Sequence, residues 1–160
     1  MDSKSRIKAR EATSEDAARI HGLARELADT VGDGPPEEDS VRARLDELLD
    51  EPSARVLVAE NDVGVVGVAS LWIKPDLAHG DTVVEVPMLV VAEDHRRSGV
   101  GKLLMEEVRN VASENGASQI ELVATRANAT AREFYRSLGF VEADVVSLEY
   151  VGSQEDPPEE

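Results

Sequence analysis

The sequence predicts a mixed α/β protein built as one domain, and three observations predict it. Two segments near the N-terminus carry apolar residues at helical spacing, and the middle of the chain alternates as β-strands do. An apolar run over residues 82–91 then leads through a glycine turn into another helical pattern and another strand. A chain of 160 residues can bury one substantial core. We expect a single domain over residues 1–151 and an acidic, disordered tail over residues 152–160.

The N-terminal third is predicted to form a short strand and two helices. Residues 6–10 alternate weakly, as a strand does. Thr13 and Asp16 have the spacing of a capping box. The first helix follows, with apolar residues at helical spacing: Ala17, Ile20, Leu23, Ala24, Leu27 and Val31. The loop at residues 32–36 ends it, and residues 37–50 form a second helix whose acidic first turn suits the helix dipole.

The centre of the chain is predicted to form a β-hairpin and then a buried strand. Residues 55–60 and 63–73 are strands on either side of an Asn-Asp turn. A loop over residues 74–81 leads to residues 82–91, whose apolar composition predicts burial on both faces of the strand. Pro87 interrupts this strand, and because proline has no backbone N–H, we expect a bulge or an unpaired side there.

The C-terminal part is predicted to form a helix, a strand, a helix and a last strand. Residues 99–115 form an amphipathic helix, and residues 118–125 alternate as a strand. Strand, helix and strand in this order make a right-handed parallel crossover. A further helix follows Asn128 and ends at Gly139, and residues 145–151 are expected to close the sheet.

The chain is strongly acidic, with 33 Asp and Glu against 17 Lys and Arg, and it contains no cysteine. Such a surface repels nucleic acids and anionic membranes, so neither is expected as a partner. It is equally compatible with ordinary solubility and with a high-salt habitat. The lack of cysteine excludes disulfides, thiolate metal sites and a cysteine nucleophile. With no secretory signal and no apolar run near the roughly 20 residues that span a bilayer, a cytoplasmic protein is expected.

Cations are concentrated in one glycine turn, which runs from His95 to Lys102 and reads His-Arg-Arg-Ser-Gly-Val-Gly-Lys. Unpaired backbone N–H groups at the start of a helix, with three cations beside them, are typical of a phosphate site. A Walker A loop would need a glycine at Arg96 and a hydroxyl at Leu103. A dinucleotide fingerprint would need a third glycine at Leu104. The turn therefore disfavours both ATP and dinucleotides.

Arg96-x-x-Gly99-x-Gly101 resembles the [Gln/Arg]-x-x-Gly-x-[Gly/Ala] signature of the GCN5-related N-acetyltransferase (GNAT) family. Leu89-x-Val91 resembles the strand that precedes it in the family. A later family motif is resembled by Asn128, Ala131, Phe134-Tyr135 and Leu138-Gly139-Phe140. The resemblance covers residues 6–151. It implies the GNAT fold, which is a mixed, mostly antiparallel sheet with a splayed parallel strand pair and flanking helices.

The resemblance implies acetyl-coenzyme A as co-substrate and no metal. Residues of the turn would hold its pyrophosphate: Arg96, Arg97, Ser98, Gly99, Val100, Gly101 and Lys102. In the family the pantetheine arm pairs with the preceding strand, here Leu89, Val90 and Val91. An N–H near Val91 would polarise the thioester carbonyl, as an oxyanion donor does. Asn128 and Ala131 would contact the coenzyme, and Asn128 is also a candidate helix N-cap.

Tyr135 matches the family tyrosine near the thioester sulfur, where it would protonate or stabilise the leaving thiolate. The alternative is an ordinary core aromatic residue. Glu85 lies among valines on the strand before the turn, where some members of the family carry a glutamate base. Burial there would increase its basicity, whereas a solvent-facing strand glutamate is the alternative. His79 and His95 are secondary candidates for the base.

The expected activity is direct transfer of an acetyl group from acetyl-CoA to a primary amine of a small molecule or a protein. An acetyl-cysteine intermediate is excluded because the chain has no cysteine. The alternative is a non-catalytic acyl-CoA-binding regulatory module with the same fold. The acceptor pocket is expected between the first two helices, the loop at residues 32–39 and the loop at residues 74–81. A homodimer is common in the family.

Overall fold

A computed structural model describes residues 6–152 of the chain, which divides into two compact units, Met1–Asn128 and Ala129–Glu160. The strands of the first unit are β1 (Lys8–Glu11), β2 (Ala54–Asn61), β3 (Gly64–Asp76), β4 (Asp81–Val91) and β5 (Gln119–Leu122). Its α-helices are α1 (Ala17–Val31), α2 (Glu38–Leu49) and α3 (Val100–Glu114). The second unit contains α4 (Ala129–Ser137). Apart from Gly152, the predicted acidic tail lies outside the described residues.

The five strands form one mixed sheet in the order β1-β2-β3-β4-β5. Neighbouring strands from β1 to β4 are antiparallel, and β4 pairs with β5 in parallel. Helix α3 connects the two parallel strands, as the predicted crossover requires. The sheet therefore has the mixed, mostly antiparallel character that the sequence predicts. No helix in the described part of the chain is long and apolar enough to cross a membrane.

Helices cover the two faces of the sheet. On one face, Val58 and Val68 are buried in a cluster that includes Ile20 of α1 and Leu45 of α2. Gly67 is adjacent to Val68 in β3, so the two residues point to opposite faces. A side chain built at Gly67 would meet Val100 and Leu104 of α3. Helices α1 and α2 thus pack on one face of the sheet and α3 on the other.

Pro87 produces the irregularity that the sequence predicts. Ser70 pairs with Met88 but Trp72 pairs with Glu85, so two residues of β4 stand opposite one residue of β3. The parallel pairing with β5 ends at Val86, directly before Pro87. Because proline has no N–H to continue a ladder, β4 runs on to Val91 without β5 beside it. This is the separated strand pair that the family resemblance implies.

The predicted closing strand is wrong. The described residues 140–151 carry no regular secondary structure, and the side chains of Val145, Val146 and Leu148 are exposed. An alternating apolar pattern becomes a strand only where another strand edge pairs with it. The predicted loop over residues 74–81 is also too long, because β3 continues to Asp76, which pairs with Asp81 at the start of β4.

Candidate functional site

The outer edge of β4 is open beyond Pro87. The Ala92 N–H donates to the Val66 carbonyl oxygen at 2.8 Å, which fixes the direction in which alternate backbone groups of β4 point. By this alternation, Leu89 and Val91 direct their N–H and C=O groups away from β3. Since the pairing with β5 ends at Val86, no strand in the described part of the first unit pairs with this edge. An extended ligand with amide groups could hydrogen-bond to it.

The turn after β4 bends sharply through two left-handed residues. A 3₁₀ turn at Glu93–His95 comes first, and the Ser98 hydroxyl donates to the His95 carbonyl oxygen. Arg97 has φ 65° and Gly99 has φ 88°, both in the left-handed region. Glycine adopts this conformation freely, but a residue with a Cβ pays roughly 1–2 kcal/mol. Strain at Arg97 in a turn of this kind is typical of a functional site.

Backbone N–H groups at the start of α3 are available to an anion. The N–H of Leu103 donates to the Gly99 carbonyl oxygen at 3.0 Å, which is the first bond of the helix. The N–H groups of Val100, Gly101 and Lys102 precede that bond and have no acceptor within the helix. They lie at the positive end of the helix dipole. The arrangement fits a phosphate group.

Three cations of the turn add to this potential. Among the described residues, no carboxylate forms an ion pair with Arg96, Arg97 or Lys102. Arg96 instead donates from Nε to the Val91 carbonyl oxygen at 3.4 Å, at the end of the open edge. In a chain with formal net charge −16, three unneutralised cations beside free N–H groups fit a multivalent anion such as a diphosphate.

His95 holds the turn against the hairpin between β2 and β3. The Oδ1 atom of Asn61 accepts from the N–H groups of Val63 and Gly64 at 2.8 and 3.2 Å, so its Nδ2 is the donor to His95 Nε2 at 3.2 Å. The ring proton of neutral His95 is then assigned to Nδ1, which is buried. Asn61 was not among the sequence candidates, because nothing in its neighbourhood of the sequence connects it with the turn.

Gly67 also positions the turn, and it was not among the sequence candidates. A Cβ at this position would lie 2.8 Å from Val100 Cγ1 and 3.0 Å from Leu104 Cδ1. The missing side chain lets the first turn of α3 pack directly on β3, which places the glycine turn at the end of β4. A single glycine inside an apolar strand is the signal that could have identified it.

The neighbouring valines do not enclose the Glu85 side chain. The expected increase in its basicity depended on such burial. Its side chain is 38% exposed and forms an ion pair with Lys74 of β3. In the strand register it lies beside Trp72 on one side and Glu121 on the other, so these side chains share one face. The hydrogen bond from Lys74 to Glu85 is the largest cause of a raised pKa of Lys74, and the charges of Glu85 and Glu121 raise this pKa further. The ion pair engages the Oε2 atom of Glu85, so this oxygen is occupied while Lys74 stays in place.

The secondary histidine candidates are both engaged elsewhere. His79 lies on the exposed turn between β3 and β4, where its Nδ1 is 2.7 Å from Asp76. This hydrogen bond and charge raise the pKa of His79. His95 is held by Asn61 at Nε2. Neither ring faces the open edge of β4 with a free acceptor nitrogen.

Tyr135 lies in the second unit, within a cluster of aromatic rings. Its ring centroid is 5.4 Å from that of Phe134 and 5.8 Å from that of Phe140. The N–H of Phe140 donates to the Tyr135 carbonyl oxygen at 3.0 Å, which fixes the chain after α4. Burial raises the pKa of Tyr135 above its ordinary value. The hydroxyl therefore keeps its proton at neutral pH and can act as a donor.

An apolar cavity of about 230 Å³ lies between α1, α2 and the sheet. Both helices line it, and Pro36 contributes from the loop between them; these segments are among those expected to form the acceptor pocket. Residues 74–81, which were also expected at the acceptor pocket, are not among the residues that line this cavity, and the sheet contributes Val68, Ser70 and Met88. The turn at residues 77–80 is the far end of the hairpin.

Residues 52–142, more than half of the chain, match a family model described as an acetyltransferase (GNAT) domain. The chain belongs to the GNAT acetyltransferase family. The matched residues include the open edge of β4, the glycine turn and Tyr135. The family resemblance predicted from the two sequence motifs is thereby confirmed.

Two relatives are acetyltransferases by name. Streptothricin acetyltransferase of Streptomyces lavendulae is 38% identical over 63 residues, which are 39% of this chain and 33% of that protein. The "Putative (ribosomal protein bS18)-alanine N-acetyltransferase" of Bacillus subtilis strain 168 is 24% identical over 110 residues, which are 69% of each chain. This GNAT chain thus matches about a third of the length of the first relative.

Solved structures share the fold of this GNAT chain. A transcriptional regulator from Bacillus halodurans C-125 has a TM-score of 0.80 at 21% identity and covers 91% of this chain and 99% of its own. The aminoglycoside N-acetyltransferase AAC(6')-Iy in complex with CoA has a TM-score of 0.79 at 22% identity and covers 91% and 95%. At these identities the likeness confirms the fold.

Proposed function

We propose that this protein transfers an acetyl group from acetyl-CoA directly to a primary amine. The observation that carries the proposal is the open edge of β4, followed at once by free N–H groups and by three cations that no carboxylate of the described residues pairs with. Coenzyme A has a pyrophosphate for the turn and amide groups for the strand edge. A GNAT structure of the same fold contains CoA.

On the donor side, each part of the turn has one task. The N–H groups of Val100, Gly101 and Lys102 bind the pyrophosphate oxygens, and the side chains of Arg96 and Arg97 supply charge. The absence of a Cβ at Gly99 leaves room for the approach, and Ser98 holds the shape of the turn. Leu89, Val90 and Val91 present the strand, and the Val91 N–H donates to the thioester carbonyl oxygen.

Two side chains are assigned to proton transfer. Tyr135 donates its hydroxyl proton to the sulfur as the carbon–sulfur bond breaks, and its raised pKa keeps the hydroxyl protonated at neutral pH until then. Glu85 accepts the proton that the amine loses, through the carboxylate oxygen that Lys74 does not engage. Asn128 and Ala131 are assigned to the coenzyme by the family motif alone.

The relatives and neighbours are named for substrates that carry amines. These are streptothricin, an alanine of ribosomal protein bS18 and aminoglycosides. An amine acceptor is therefore the common chemistry, whether on a small molecule or a protein.

The proposal is tested by following free thiol from acetyl-CoA with a panel of amines, using Tyr135→Phe as the variant. Loss of the proton donor is expected to lower kcat about 100-fold without changing the affinity for acetyl-CoA. Tyr150→Phe is the matched control, since Tyr150 is the other tyrosine and is 87% exposed. Binding of acetyl-CoA without thiol release for any amine would contradict the proposal and favour the regulatory module.

A further inference from the structure

We infer that the acceptor amine carries an apolar side group, which the cavity between α1, α2 and the sheet holds beside the β4 edge. The inference rests on the proposed function and names the class of acceptor that the site selects. The amines it favours carry a branched aliphatic or aromatic group next to the reacting nitrogen. Amines with several positive charges are disfavoured.

The composition of the cavity wall carries the first step. Apolar side chains from both helices and from three strands line it, among them Ile20, Ala24, Val41, Val56, Val68 and Met88. Its volume of about 230 Å³ gives room for a leucine-like or phenyl side group. Transfer of such a group from water into an apolar cavity is favourable in proportion to the area buried.

The second argument for an apolar side group is the near absence of charge in the cavity wall. Among the described residues that line the cavity, Arg44 is the only charged one, and no carboxylate is present. Arg44 lies at the rim, 66% exposed, with Glu47 2.9 Å away. The chain as a whole has a net charge of −16, so acidic residues are abundant elsewhere. A cavity that selected a polycation would place some of them in its wall, because a buried cation needs a partner.

The third argument is the position of the cavity beside the open edge of β4. Met88 lines the cavity and immediately precedes Leu89, whose backbone groups face the open edge. The side chains of Met88 and Leu89 point to opposite faces of the sheet, so the cavity and α3 lie on either side of that edge. An amine whose side group fills the cavity thus has its nitrogen close to the backbone of Leu89. The unbranched side chain of Met88 can adjust to groups of different shape.

The experiment compares amino acid amides that have the same reacting amine and different side groups. Leucinamide and asparaginamide are similar in size and differ in polarity, and glycinamide has no side group. With acetyl-CoA saturating, kcat/KM from thiol release is expected to be at least tenfold higher for leucinamide than for asparaginamide. Lysinamide and kanamycin are expected to rank below leucinamide.

Ala24→Phe tests the cavity itself. The added ring fills the space, so kcat/KM for leucinamide is expected to fall at least tenfold, while the value for glycinamide stays within twofold. Ala18→Phe is the matched control, because Ala18 lies on the same helix but is exposed and outside the cavity. It is expected to change neither value. Val41→Asp is a second variant, expected to move the preference towards lysinamide.

Each result decides between the inference and the proposed function. Equal kcat/KM for leucinamide and asparaginamide overturns the inference and leaves the acetyltransferase function standing. An equal loss of kcat/KM for leucinamide and glycinamide in a folded Ala24→Phe variant also overturns the inference. So does an unchanged ranking of the amines by kcat/KM in Val41→Asp. No thiol release with any amine, in protein that binds acetyl-CoA, overturns the proposed function and the inference with it.

Discussion

The glycine turn on the donor side of the β4 edge and the cavity on its acceptor side are built in different ways. The glycine turn is contiguous in sequence, and it combines backbone N–H groups with the cations of Arg96, Arg97 and Lys102. The cavity is assembled from side chains of α1, α2, β2, β3 and β4, which are far apart in sequence. A phosphate is recognised by charge and backbone, which a short segment can supply. An apolar group is recognised by shape, which needs several elements packed together.

Loss of the carboxylate at position 85 should give the largest effect, on the acceptor side. Glu85→Gln is expected to lower kcat about 100-fold near neutral pH, since the protonated amine then has no base. The loss should shrink at high pH, where the amine is already neutral. Glu121→Gln is the matched control, because Glu121 is the register neighbour of Glu85 on the same face. Equal effects of the two variants across the pH profile would remove Glu85 from its assigned role.

A methyl group at position 67 should damage the donor side. Gly67→Ala places a Cβ 2.8 Å from Val100 Cγ1, so Val100 must shift, and we expect α3 to move with it at a cost of about 1–3 kcal/mol. The glycine turn moves with it, and affinity for CoA is expected to fall about tenfold or more.

Gly22→Ala is the same change in α1, where a Cβ would meet nothing within 4 Å. There it is expected to stabilise the protein by roughly 0.5–1 kcal/mol and to leave CoA affinity unchanged. Thermal unfolding and calorimetric titration with CoA measure both quantities. Unchanged CoA affinity in Gly67→Ala would show that this glycine does not position the turn.

Asp16 should support the acceptor side only, through the start of α1. It is buried, and the hydrogen bond from Arg10, with a further one from the Thr13 N–H, holds its pKa below the ordinary value. A carboxyl whose pKa is lowered by folding stabilises the protein above its unfolded pKa of about 3.9. That stabilisation is lost as the pH falls through the lower folded value.

Asp16→Asn is therefore expected to cost about 2 kcal/mol near neutral pH, from the lost charged hydrogen bonds. The difference from the unsubstituted protein should shrink below pH of about 4. Urea unfolding at several pH values measures it, and CoA affinity at neutral pH serves as the internal control. A difference that stays constant down to the acid limit would mean that this carboxyl contributes no pH-dependent stability.

Substitutions at Arg97 separate the role of charge from that of backbone conformation in the glycine turn, and they have the smallest expected effect on CoA binding. Arg97→Gly and Arg97→Ala both remove the cation, so each should weaken CoA binding about three- to tenfold. Only glycine relieves the φ of 65°, so the glycine variant should be more stable than the alanine variant by roughly 1 kcal/mol. Equal stability would mean that the turn relaxes in the alanine variant.

The sequence by itself determined the features that depend on neighbouring residues. The helices follow from apolar spacing, and the bulge at Pro87 follows from a missing N–H. The turn from Arg96 to Lys102, with Tyr135 in the later motif, was enough to predict the GNAT family. These signals are local because hydrogen-bonding capacity, charge and backbone freedom belong to a residue and its immediate neighbours.

Only the tertiary structure decided the features that join distant segments. It brought Asn61 to His95, set Gly67 against Val100 and paired Glu85 with Lys74. It also left the alternating residues 145–151 without a strand partner. The cavity between α1, α2 and the sheet is likewise formed by segments that are distant in sequence. Contacts of this kind depend on how strands register and helices pack, and the same local pattern is compatible with several outcomes until that packing is fixed.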